Sequence, residues 1–130
     1  MSLHADLAER VIEELGPRLL GMPHVSHDAL TLELDNGIVL QARFASDGEY
    51  SIQWRRDDAE QRIDTAPLHP GLASYPNHRH TAEGTACADK LTRIDLSPRE
   101  NLLALLQMLL KEDALARRER VERAAPIDLG

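Results

Sequence analysis

A chain of 130 residues is one domain by size, and its aromatic content of 3% means that its core is built from Leu, Ile, Val and Ala. A net charge of -7 excludes a broad basic surface that binds nucleic acid by phosphate neutralisation alone, and leaves local contact with RNA open. Cys87 is the single cysteine, no charged start leads into an apolar run, and no apolar run approaches the roughly 20 residues that span a bilayer, so a cytoplasmic protein with no membrane partner is expected.

Leu3, Leu7, Val11 and Leu15 recur at helical spacing, with Ile12 beside them and Asp6, Glu9, Arg10, Glu13 and Glu14 opposite. Residues 3–16 are therefore predicted to form an amphipathic helix, ended by a left-handed Gly16 and by Pro17, which cannot continue it. His4, His24 and His27 lie in or after this helix without a partner pattern and receive no role. Leu30, Leu32 and Leu34 alternate with Thr31, Glu33 and Asp35, the period of a half-exposed strand. Asn36-Gly37 then favours a type I′ turn with positive φ at both central residues, which predicts Ile38 to Phe44 as the returning strand. Asp47-Gly48 gives a second tight turn into Tyr50, Ile52 and Trp54, and a looser turn at Asp57 to Glu60 leads into Gln61 to Thr65. Residues 30–65 thus read as a four-stranded antiparallel meander with one packed and one wet face. Ile38, Leu40, Ile52 and Trp54 are core candidates, some of which the period of two should turn outward.

Residues 66–89 hold no sustained period but carry Pro67, Pro70 and Pro76 together with His69, His78 and His80, half of the six histidines. Loops this long within compact domains are usually functional or disordered, and this one is expected to be the working element, hung on the sheet before it. Residues 91–124 are predicted as a short strand, Leu91 to Leu96, and a helix. Ser97-Pro98-Arg99-Glu100 forms a capping box with proline at the first helical position, and six leucines from Leu102 to Leu110 make that helix the main cover of the sheet. Beyond Lys111 the charges alternate in sign through Glu112, Asp113, Arg117, Arg118, Glu119 and Arg120, as in a solvated extension or a partner arm. The expected fold class is α+β: a four- to five-stranded antiparallel meander covered by the C-terminal helix, with the N-terminal helix beside it. Free sheet edges make a homodimer or a heteromeric complex the expected assembly.

The chemistry concentrates in the loop. His78 and His80 are two apart, so on an extended chain they point to one side. Two such imidazoles can serve as general acid and general base, can bind a metal, or can hydrogen-bond the loop to itself. RNA cleavage through the 2′-hydroxyl needs only a base, an acid and a cation on the phosphate, which Arg79, Arg62 or Arg93 can provide. Asp64 either orients a histidine or caps the turn. His69, between Leu68 and Pro70, reads as structural or substrate-contacting rather than catalytic, and Tyr75 either stacks on a base or pins the loop to the core. Acid–base chemistry without a cofactor is favoured over a divalent metal on His78 and His80, because spacing fixes neither Asp64 nor His69 as a third ligand. Cys87, with Lys90 its only basic neighbour, does not read as a reactive thiol.

The run RIDTAPLHPGLASYPNHRH, Arg62 to His80, resembles the signature of the TumE-like family, small toxin components of bacterial toxin–antitoxin pairs. The family's pattern is a strand ending in Asp-Asn, then Ala-Pro, a histidine before proline, an aromatic-proline step and a closing His-x-His. It is met here by Asp64-Thr65, Ala66-Pro67, His69-Pro70, Tyr75-Pro76 and His78-Arg79-His80, with Thr65 standing where asparagine is expected. Including the meander and the Leu-rich helix, the resemblance covers roughly Leu30 to Leu110. It implies a cytoplasmic bacterial protein encoded beside a DNA-binding antitoxin, with RNA cleavage as the suspected activity. On that reading His78, His80, Asp64 and Arg79 are the catalytic candidates, and Arg62, Tyr75, His69 and Arg93 contact the substrate. The alternatives are a non-catalytic binding domain whose loop is the recognition element, and a metal-binding His-x-His protein.

Overall fold

The Ser2 hydroxyl accepts a hydrogen bond from the Ala5 N–H at 3.1 Å and caps helix α1 (Leu3–Leu15), which buries His4, Leu7, Ala8 and Val11. The computed structural model describes the backbone of residues 2–124 and the side chains of residues 2–112. Gly16 does not take the expected left-handed conformation: at φ -48° and ψ -48° it stays right-handed and opens a 3₁₀ turn, Gly16–Arg18. Proline fits the first positions of such a turn, so Pro17 extends the helical path before ending it.

Seven strands follow in one antiparallel sheet whose spatial order is the chain order. They are β1 (His24–Val25), β2 (Leu30–Glu33), β3 (Val39–Ser46), β4 (Glu49–Arg56), β5 (Ala59–Asp64), β6 (His78–His80) and β7 (Ala86–Ala88). The predicted four-stranded meander is β2 to β5. Its first turn differs in type, because only Gly37 has positive φ (89°) and the loop is three residues long. Leu34 donates to the Ile38 carbonyl at 2.8 Å, and its own carbonyl accepts from Gly37 N–H at 3.0 Å. The buried Asn36 side chain accepts from Ile38 N–H at 3.1 Å, a local bond that competes with the type I′ geometry. The turn expected to be loose is tight, with Arg56 paired to Ala59 around Asp57 at φ 54°.

Ile38, Leu40, Ile52 and Trp54 are all buried, with none turned outward. Ile52 pairs with Ala42 and Trp54 with Leu40, so the apolar positions of both strands fall in phase on one face. Leu102, Leu105, Leu106, Leu109 and Leu110 of helix α2 (Pro98–Ala124) and Leu7 and Val11 of α1 join them in one core cluster. The capping box forms: Glu100 N–H donates to the Ser97 hydroxyl at 3.1 Å, and Ser97 N–H to the Glu100 carboxylate at 3.3 Å. The charged run at residues 117–120 lies outside the described side chains.

Two departures concern the region around the site. Residues 78–80 and 86–88, expected within a loop, form β6 and β7, joined by a turn in which Thr81 N–H donates to the Thr85 carbonyl at 2.9 Å and Gly84 sits at φ 84°. Residues 91–96, expected as a strand, are not one. Side chains take their backbone groups instead: Leu91 N–H and Thr92 N–H donate to the Asp89 carboxylate at 2.8 and 3.4 Å, and Arg93 N–H to the Asn101 side chain at 2.9 Å. Asn101, wholly buried at the start of α2, returns a hydrogen bond to the Arg93 carbonyl at 2.8 Å. A backbone satisfied this way has no need of a sheet partner.

Candidate functional site

The register builds the site. β5 pairs with β6 so that Asp64 lies opposite His78 and Arg62 opposite His80. Successive strand residues alternate faces, so these four share one face while Ile63, wholly buried, and Arg79 share the other. The first face is the one turned away from the core. One cross-strand row on it runs Thr31, Gln41, Gln53, Arg62, His80, and the next runs Arg43, Ser51, Asp64, His78.

The segment between β5 and β6 brings His69 onto these rows through successive turns, with Leu72 N–H donating to the His69 carbonyl and Tyr75 N–H to that of Leu72, each at 3.1 Å. The Tyr75–Pro76 peptide bond is cis. Ring centroids of His69 and His78 are 4.7 Å apart, those of His78 and His80 4.7 Å, and those of His69 and His80 6.1 Å, all edge to face. One ring nitrogen from each of the three lies within 4.8 Å of the others.

Asp64 is the anion of the cluster. Its Oδ1 accepts from Ala66 N–H at 3.1 Å, which caps the turn, and its Oδ2 accepts from Arg62 Nε at 2.9 Å. The same carboxylate stands 3.1 Å from His78 Nε2 and 3.7 Å from His80 Nε2. Neither contact is a hydrogen bond: His80 Nε2 stands too far off at 3.7 Å, and both Nε2 atoms are buried with no hydrogen-bond partner among the described residues. His78, at 1% exposure, has its Nδ1 3.3 Å from the Pro76 carbonyl. Burial lowers the pKa of His80, and the charge of Arg62 adds to the effect while Asp64 opposes it. The neutral imidazole, able to accept a proton or a metal, is thereby favoured.

The structure brings Asp64, Arg62, His69, His78 and His80 together and places the other three candidates elsewhere. Arg79 faces the core side, where it donates to Gln61 Oε1 at 3.0 Å and lies 5.9 Å from the centre of the Trp54 ring. The alternation that puts His78 and His80 on one side requires this of the residue between them. Arg93 forks onto Asp95 at 3.0 and 2.6 Å. Tyr75 is 45% exposed, which does not fit a core pin, and with Arg93 it lines a separate cavity of about 240 Å³. Thr65 is structural: its hydroxyl accepts from Tyr50 N–H at 3.0 Å.

The helices of this small α+β domain thus lie on one side of the sheet and the imidazole–carboxylate cluster on the other. No helix among the described residues is long and apolar enough to cross a membrane. The family described as Toxin TumE matches residues 20–114, so the chain belongs to the TumE toxin family and has a toxin-like role. The match spans the whole sheet and the leucine-rich part of α2. No curated protein and no solved structure matches the chain.

Proposed function

We propose that this chain is the toxin of a bacterial toxin–antitoxin pair and that it cleaves RNA at the Asp64–His69–His78–His80 cluster. The observation that carries the reading is the gathering of three imidazoles and a carboxylate on the sheet face that does no core packing. Attack by a 2′-hydroxyl needs a group that takes its proton, a group that protonates the leaving oxygen and positive charge on the phosphate. The cluster supplies the first two, and Arg62, 46% exposed on its side chain, supplies the third. The row Gln41, Gln53, Arg62 offers side-chain amides and a guanidinium leading to His80, which suits a single strand of RNA held by its backbone. On this reading the protein works in the bacterial cytoplasm and is neutralised by a DNA-binding antitoxin encoded beside it.

Induced expression is expected to arrest growth, with relief by the adjacent gene, and the purified protein is expected to cleave RNA. Asp64→Asn and His80→Ala should each lower cleavage on the order of a hundredfold or more, with an unchanged circular dichroism spectrum. Full cleavage by both variants, or growth unaffected by wild-type expression, would sink the proposal.

A further inference from the structure

We infer that His69, His78 and His80 form a binding site for one divalent transition-metal ion of the zinc class, with Asp64 as the carboxylate beside it. The inference rests on the proposed function and names a cofactor for the same site, which would take over from the bare imidazoles the work of activating the attacking hydroxyl. It stands or falls on a different measurement.

The argument begins with the His78 tautomer. Its Nδ1 faces the Pro76 carbonyl at 3.3 Å, and a carbonyl can only accept, so the proton sits on Nδ1 and Nε2 presents a lone pair. That lone pair is buried, has no hydrogen-bond partner and lies 3.1 Å from an oxygen of Asp64. Two electron-rich atoms at that distance repel unless a cation stands near both. Protonation of Nε2 would charge the ring beside Asp64 but leaves no hydrogen bond to it, whereas a metal ion between the two meets both lone pairs. His80 repeats the pattern, with Nε2 buried, unpartnered and 3.7 Å from the other Asp64 oxygen. A buried polar atom left unsatisfied is costly, so two side by side call for a ligand.

The arrangement also has the outer features of a metal site. A ligating histidine commonly donates its second ring N–H to a backbone carbonyl, as His78 does to Pro76. Asp64 is itself fixed by Arg62 and by Ala66 N–H. Three imidazoles are donors for zinc, cobalt or nickel rather than magnesium or calcium, and Asp64 stands beside two of them as a neighbouring carboxylate. Nitrogens bound to zinc stand roughly 3.4 Å apart, so the widest pair, now within 4.8 Å, closes by about 1.4 Å. Rotation of the His69 side chain, on the turn-rich segment, can supply that movement. Bound there, the ion would act as a Lewis acid and lower the pKa of a coordinated water.

The test uses the full chain, stripped with chelator and titrated with Zn²⁺ and Co²⁺. We expect one ion per chain, visible-range cobalt absorption displaced by zinc, and a melting temperature raised by about 5 °C or more under saturating zinc. His69→Ala, on the loop, should weaken binding on the order of a hundredfold with the fold intact. Asp64→Asn should weaken it about tenfold or alter the cobalt spectrum. His24→Ala, at an exposed position on β1, serves as the control for adventitious surface binding and should change nothing. Absence of cobalt absorption and of any zinc-induced melting shift in the wild type overturns the inference, as does unchanged affinity in His69→Ala. RNA cleavage by a protein that binds no metal would overturn it and leave the proposed function standing. Tight binding by a protein without toxicity or cleavage would do the reverse.

Discussion

His4 received no role from the sequence, yet it is 4% exposed and accepts a hydrogen bond from Phe44 N–H at 3.1 Å through Nε2, tying α1 to β3 across the core. An accepting nitrogen must be unprotonated, and burial lowers the pKa of this ring below its ordinary 6.5. The unfolded chain therefore takes up a proton near pH 6.5 while the folded chain resists it, so stability present above that pH is lost as pH falls through the folded value. Urea unfolding of wild type between pH 7.5 and 5 is expected to show this decline, and His4→Gln to show a shallower one. Equal slopes would mean that His4 is not the titrating group. His80, lowered as well, adds to the slope in both proteins, so the difference between them isolates His4. Nothing in the i, i+3, i+4 pattern distinguishes a histidine that packs inward from one that is solvated. Its role depends on a backbone N–H 40 residues away.

The elements divide by the strength of their local signals. α2 announces itself through Ser97, Pro98 and Glu100 and then through six leucines, and both capping-box bonds form. The β6–β7 hairpin is nearly silent, because each strand has three residues, the face turned from the core carries histidines rather than leucines, and no long alternation is available. Glu83-Gly84 between two threonines was its one sequence sign, since Gly84 must reach φ 84°. A β-carbon meets no atom within 4 Å there, so Gly84→Ala isolates the backbone penalty from any clash. We expect it to cost about 1 kcal/mol or more in denaturant unfolding and to speed amide exchange in β6 before β4. A stability equal to wild type would mean that this turn does not hold the hairpin in place.

At the scale of the whole molecule, one buried network joins sheet, loop and the approach to α2. The Asp89 carboxylate receives Asn77 Nδ2 at 2.8 Å, the backbone of Leu91 and Thr92, and the Thr92 hydroxyl, which in turn meets the Tyr50 hydroxyl at 2.7 Å. Burial raises the Tyr50 pKa, so the phenol stays protonated as a donor in this network. The Ser74 hydroxyl donates to the Asn77 carbonyl at 2.5 Å and accepts from Asp89 N–H at 2.8 Å. Removing the carboxylate strands several buried donors, so Asp89→Ala is expected to destabilise by about 2–4 kcal/mol and to loosen the His69 segment. A thermal shift below 2 °C would refute that role. The same scale revises the argument for self-association: β1 and β7, of two and three residues, stand beyond the longer strands of the meander. Short edge strands are one way in which proteins avoid edge pairing, so the edges as built supply less reason for a homodimer than a bare meander does.

The sequence by itself determined the α+β class, the meander from Leu30 onward, the capped leucine-rich helix and the family signature, because each rests on a period, a turn dipeptide or a string readable within a few residues. It also put His78 and His80 on one side, and by the same alternation it already turned Arg79 away. The tertiary structure decided what spacing cannot carry. It set Asp64 opposite His78 through strand register, delivered His69 across the turns of the loop, and replaced a predicted strand at residues 91–96 with backbone held by Asp89 and Asn101. Local pattern fixes which way a side chain points along its own element. Which side chains meet is fixed by register between elements and by packing of the whole chain.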